Sequence, residues 1–256
     1  MALQQIDLQV FFLILFRIIG MMIRTPVLSS QHIPALGRMA ISIWVAGLLW
    51  FVAPSAPPSL TGVIFILALA NEFIIGLLMG FVAEAIFLAV QMAGELMDLQ
   101  MGLSIASTFD PIFGAQVSVI GRFASMFALV LFLVAGGHHM MLEAIHKSLT
   151  ILPIGVPINL FSQNLVYFLA QITQKLVLLS VQLAAPIMLL LFLTDFAFGI
   201  VSRVAPQVNV FMLSFQSKPS IGLIGIFFAL PLLIRHTVQL VPQIANQLVA
   251  LMGIVK

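Results

Sequence analysis

Apolar residues run in six long segments, at about 8–23, 39–53, 62–90, 123–142, 165–200 and 219–252. No Asp, Glu, Lys or Arg occurs between Arg38 and Glu72, between Arg122 and Glu143, or between Arg235 and Lys256. Each interval reaches or exceeds the ~20 apolar residues that carry a helix across a bilayer. Lipid offers no hydrogen-bond partner to the backbone, so only helices or a closed barrel cross it. These runs are too long and too continuously apolar for barrel strands, which alternate over about ten residues. The pattern therefore predicts an all-α, polytopic membrane protein. Three segments are irregular: the first is short and holds Arg17, while the third and fifth are too long for one simple span. The sixth carries Pro231, Arg235 and Pro242. APSAPPS at 53–59 and PIGVP at 153–157 are Pro-rich turns that end helices.

Polar residues inside these runs are costly, so their phase carries information. If 76–99 is helical, Gly80, Glu84, Phe87, Gln91, Glu95 and Asp98 share one stripe. Gln171, Lys175 and Gln182 share a face of 165–185, and Arg235, Gln239, Gln243, Asn246 and Gln247 cluster on one side of 232–252. Two readings stand. The stripes are seams where amides bond between helices, or some of them face a watery lumen, which would need several subunits to enclose.

Composition supports the membrane reading and removes other classes. Charged residues make up 7% of the 256 and the mean hydropathy is +1.22, against roughly 25% charged in soluble domains. The absence of Cys excludes disulfides, thiolate metal sites and iron–sulfur clusters. Ten basic against eight acidic residues is a small surplus and does not point to nucleic acid. Residues 1–7 carry Asp7 rather than a basic cluster, so the first segment is expected to remain in the protein. Arg24, Arg38, Arg122, Arg203 and Lys218 fall in odd-numbered connections and Lys147 in an even one. That bias predicts both termini outside and the 203–218 connection in the cytoplasm.

Candidate chemistry is sparse. His139, Glu143 and His146 in HHMMLEAIH share a helical face at metal-holding spacing. The order is not that of a zinc-protease motif and no second cluster completes a site; a helix end near the membrane surface accounts for the same residues. No metal or cofactor is assigned. Glu72, Glu84, Glu95 and Asp195 lie in or beside apolar runs, as in proton-coupled transporters. Yet no inverted repeat is evident, and the acids are not matched by basic residues at corresponding positions. No phosphate loop or nucleophile motif is present, and no enzyme activity is expected.

Two blocks remain. Residues 100–116 read QMGLSIASTFDPIFGAQ, followed by GGH at 136–138 and SLTILPIG at 148–155. Later come AAP at 184–186, D-x-x-x-G at 195–199 and SRVAPQVNVFMLSFQSK at 202–218. In this order they resemble the family of FliR, the export-gate subunit of the flagellar type III apparatus, and its virulence counterpart SctT. The most specific element is R-x-x-P-Q-x-N-x-F, at Arg203, Pro206, Gln207, Asn209 and Phe211. The 207–218 stretch, with Phe215 and Lys218, also looks like the cytoplasmic turn of FliQ; FQSKP at 215–219 departs slightly from the family pattern.

The resemblance implies an architecture of kinked helical hairpins, with residues 1–164 similar to FliP and 165–256 a FliQ-like hairpin. It implies assembly with FliP- and FliQ-like gate subunits around a channel for unfolded export substrates. FlhB- and FlhA-like components would stand nearby, at a basal body in the bacterial inner membrane, and membrane lipid would surround the assembly. It also implies that 104–121 enters the channel as a plug. The residues suit that role: Gly102, Pro111 and Gly114 break helix, and Asp110 before Pro111 initiates a turn. Ser104, Ile105, Phe109, Ile112 and Phe113 complete the assigned plug, its Ile and Phe side chains suited to a dry constriction. Glu84, Gln91, Glu95 and Asp98 lead into it on one face, as lumen or seam. The FDP and LPIG stretches favour the flagellar member over the virulence one. A coupled transporter is the alternative from another class.

Overall fold

A computed structural model describes residues 2–25, 34–51, 60–103, 118–158 and 162–255. Seven α-helices, and no strand, occur among the described residues: α1 (Ala2–Arg24), α2 (Ala35–Trp50), α3 (Val63–Met101), α4 (Val119–Val134), α5 (Gly137–Ile151), α6 (Gln163–Val204) and α7 (Val210–Val255). The fold class read from the hydrophobic pattern holds. Helices α3, α6 and α7 have 39, 42 and 46 residues, and at 1.5 Å rise per residue they are ~58 to ~69 Å long. A hydrocarbon layer of ~30 Å takes only part of each.

The expected segment at 123–142 is not one helix. It divides at Gly136, whose φ of +75° is a left-handed conformation that glycine tolerates, so that α4 ends at Val134 and α5 starts at Gly137. Ser118 starts α4 by accepting a hydrogen bond from the Gly121 N–H at 2.8 Å. Pro34 precedes α2, whose last residue is Trp50. Pro186 lies inside α6.

The chain divides into two compact units that alternate along the sequence: residues 1–86, 136–173 and 241–256 form one, and 87–135 with 174–240 form the other. In the first, α1 packs closely on α3 at glycines. A Cβ on Gly76 would stand 2.9 Å from the Met21 nitrogen, and one on Gly80 2.7 Å from the Met21 oxygen. The Gly76–Gly80 spacing thus lets backbones approach as small-residue seams do in membranes. Leu13, Ile14, Ile18, Met79, Leu149 and Leu248 fill the interior of this unit.

In the second unit α3 and α4 run antiparallel. Phe87 and Phe132 meet edge to face with centroids 5.2 Å apart. A Cβ on Gly94 would lie 2.6 Å from the Gly121 Cα. Helices α6 and α7 form an antiparallel pair, tied where Lys218 reaches Asp195 and where Leu190 fills the space beside Gly225.

Candidate functional site at the end of the third helix and the 205–218 turn

The last turn of α3 ends at Met101, and Gly102 follows with φ +81° while its N–H bonds the Leu99 oxygen at 3.1 Å. A bulkier residue is strained in that conformation, so the glycine closes the helix. On the other side of the site α6 ends at Val204, and the Ala205 N–H returns to the Val201 oxygen at 2.8 Å. The Val208 N–H bonds the Ala205 oxygen at 3.0 Å, so 205–208 is a tight turn. Asn209 then caps α7: its Oδ1 accepts from the Met212 N–H at 3.2 Å.

The two sequence blocks meet in one cleft of about 390 Å³. Leu99, Gln100, Met101 and Gly102 line it from α3; Asp195, Phe198, Gly199 and Ser202 from α6; and Val210, Phe211, Ser214, Phe215 and Lys218 from α7. Lys218 Nζ pairs with Asp195 Oδ1 at 2.6 Å on its wall. Phe211 is 79% exposed, and Arg203, Pro206, Gln207 and Asn209 are exposed on the turn beside it. Aromatic walls with hydroxyls, an amide and one ion pair make the recess amphipathic.

The stripe on α3 is placed unevenly. Glu84 receives the Arg24 guanidinium at 3.0 Å, and Gln91 donates to Glu95 at 2.9 Å. Asp98 is buried, and its Oδ1 accepts no hydrogen bond from the described residues. Phe87, on the same stripe, is core. Ser104, Ile105, Phe109, Asp110, Pro111, Ile112, Phe113 and Gly114 lie outside the described residues; of the assigned plug only 118–121 is described. His139 and Glu143 are exposed on α5, and Glu143 is engaged by Lys147 at 2.6 Å.

Three of the four acids noted in or beside the apolar runs have basic partners, while Glu95 takes the Gln91 amide. Glu72, Glu84 and Asp195 pair with Arg17, Arg24 and Lys218. The partners come from other helices, so spacing along the chain did not reveal them. Arg17 is 1% exposed; its Nε donates to Glu72 Oε2 at 2.5 Å and its Nη1 to the Ser148 oxygen at 3.0 Å. Nη1 and Nη2 both reach the Leu152 oxygen at 3.1 Å. Glu72 Oε1 accepts from the Gly155 N–H at 3.0 Å, and Asn71 bonds the Val156 oxygen at 2.8 Å and the Ile158 N–H at 3.3 Å. One buried pair and one amide thus hold the PIGVP turn at Leu152, Gly155, Val156 and Ile158. An Arg and a Glu within apolar runs were the only sequence signal for it.

With this geometry in place, residues 8–244 match the family described as bacterial export proteins, family 1. The chain belongs to that family. Within it, this chain is 32% identical over 249 residues to the flagellar biosynthetic protein FliR of Bacillus subtilis, covering 95% of this chain and 96% of the relative. It is 30% identical over 245 residues to FliR of Escherichia coli K12, covering 94% and 92%. It is 32% identical over 157 residues to the surface presentation of antigens protein SpaR of Shigella flexneri, covering 61% and 60%. The resemblance to the FliR and SctT family is thereby established over most of the length. This family member is a multi-pass membrane protein, by its long apolar helices.

Proposed function

We propose that this chain is a channel-forming subunit of the flagellar type III export gate in the bacterial inner membrane, at the basal body. Similarity along nearly the whole length to flagellar biosynthetic proteins carries this reading. In it, FliP- and FliQ-like chains complete the channel for unfolded substrates, FlhB- and FlhA-like components adjoin it, and residues 104–121 plug it. The gate is a passage rather than an enzyme, and its energy is supplied elsewhere. The antiparallel α6–α7 pair joined at 205–209 supports a FliQ-like part from 165 to 256 behind a FliP-like part from 1 to 164. The exposed Phe211, Gln207 and Arg203 beside an amphipathic cleft support a partner contact at the turn. Glu84, Gln91, Glu95 and Asp98, on the helix leading to 104, are the polar stripe of this reading, as lumen or seam.

Subunit composition of the detergent-extracted complex tests the proposal. A gate subunit co-purifies with FliP- and FliQ-like chains in one hetero-oligomer. Recovery of this chain alone, or as a symmetric homo-oligomer, supports a transporter and overturns the gate. The similarity to the surface presentation protein supports one second reading, the same part in a virulence secretion machine. Neighbouring genes for flagellar or for virulence export components separate the two.

A further inference from the structure

Met101 is the last residue of α3 and is wholly buried. Its side chain fills a notch over Gly222 of α7. A Cβ on Gly222 would stand 2.5 Å from Met101 Cε, 2.7 Å from Cγ and 2.9 Å from Sδ. A side chain at 222 would enter the space Met101 occupies, so Met101 would have to leave its seat to admit it. Gly222 lies one helical turn beyond Lys218, whose ammonium holds Asp195 of α6 at 2.6 Å. Three residues further on, Gly225 receives Leu190 of α6 at 2.6 Å from the position a Cβ would take. The first half of α7 is therefore registered on α6 by an ion pair and a packed side chain, and on α3 by Met101.

The same joint sits between the two sequence blocks. Toward one side α7 leads to the exposed turn at 205–209; toward the other, Met101 is followed at once by Gly102, where the chain leaves α3. A stiff helix shifts as a body, so movement of the turn reaches the end of α3 through its packed contacts, of which Met101 over Gly222 is the tightest at that end. We propose that Met101, seated over Gly222, couples the 205–218 turn to the end of α3, which makes the two positioning residues for export. The inference rests on the export-gate reading for its readout, but not on the assignment of the plug.

Size exchange in the full chain, within its complex and in cells that depend on it, tests the joint. Gly222→Ala overfills the notch, and Met101→Ala on that background makes room again. With the complex recovered from membranes in wild-type amount, export falls in Gly222→Ala, because the added methyl moves Met101 from its seat. It returns most of the way in the double variant. Normal export in an assembled Gly222→Ala complex, or a double variant no better than the single one, overturns the joint.

A cross-link covers the case in which Gly222→Ala lowers the amount of complex. The chain has no native Cys, and Met101 Cγ, where a cysteine would carry Sγ, lies 2.7 Å from a Cβ at 222, near the roughly 3 Å from one Sγ to the opposite Cβ in a disulfide. Met101→Cys with Gly222→Cys, oxidised, keeps exporting if the two residues move as one. Export that stops on oxidation and resumes on reduction overturns the proposal. Failure of the gate reading is separate, since it is seen as the absence of FliP- and FliQ-like chains from the purified complex.

Discussion

Arg17 of α1 and Glu72 of α3 form a buried ion pair at 2.5 Å, with side chains 1% and 0% exposed. Neither group is bare: the guanidinium also takes the Ser148 and Leu152 oxygens at the end of α5, and the carboxylate takes the Gly155 N–H. The pair therefore ends a helix and holds a turn whose Pro153 and Pro157 lack N–H groups. In a membrane protein this satisfaction matters, because no water replaces it.

Removing the cation leaves a buried carboxylate without its counter-charge and takes the Arg17 donors from the Leu152 carbonyl. Arg17→Met is expected to cost about 3–5 kcal/mol, the range for breaking a buried pair. Arg17→Met with Glu72→Leu recovers little, since the Leu152 and Gly155 backbone groups stay unpaired. Thermal melting in detergent with limited proteolysis reads both variants. A double variant as stable as wild type counts against the turn-holding role.

Glycines separate into those that admit a side chain and those that do not. Ala at Gly94 meets the backbone of Gly121 at 2.6 Å, so neither side yields easily, and a cost of ~1–3 kcal/mol is expected. Ala at Gly47 or Gly199 meets nothing within 4 Å, and those changes should be neutral or stabilise by up to ~1 kcal/mol. Melting temperatures of the three single variants check the order; Gly94→Ala as stable as Gly47→Ala would contradict the close α3–α4 approach.

The long-range part of this geometry is what the sequence conceals. Hydrophobic runs made the helical class plain, and three-and-four spacing placed Glu84, Gln91, Glu95 and Asp98 on one stripe, because both features are local. The break at Gly136 was in view as a Gly-Gly pair, yet an unbroken apolar run spoke for one helix. Arg17 and Glu72 are 55 positions apart, and Met101 and Gly222 more than a hundred. Periodicity relates residues on one helix and says nothing of which helix lies opposite. The motif residues of the turn were found by resemblance, while the capping role of Asn209 follows from a side chain placed just before an apolar run.

Asn209 separates a cap from a contact. Asn209→Asp keeps an oxygen for the Met212 N–H and should leave both folding and export near wild type. Asn209→Leu loses the cap at about 1 kcal/mol, too little to unfold a 46-residue helix. Under the partner-contact reading, export in Asn209→Leu with Gln207→Leu drops while the chain still inserts. Charge reversal of Lys218 adds a like charge beside Asp195 and should impair export similarly. Motility assays with a membrane-fraction control read all three; normal motility throughout speaks against a partner at this turn.

Residues 106–116 carry the plug assignment, and their deletion tests it without touching the described stems. Gly102 ends α3 with its own backbone bond, and Ser118 caps α4 from outside the deleted stretch. Gly94 against Gly121 holds the two helices together below it. Assembly should therefore survive the deletion. If the Ile and Phe side chains of this stretch form a dry constriction, its loss leaves a wetted path. The membrane then admits ions or small solutes when the variant is expressed, read as a fall in membrane potential or as uptake of a small impermeant dye. Measured in vesicles with matched amounts of complex, a barrier as tight as wild type would remove the plug from this chain and leave closure to another part of the gate.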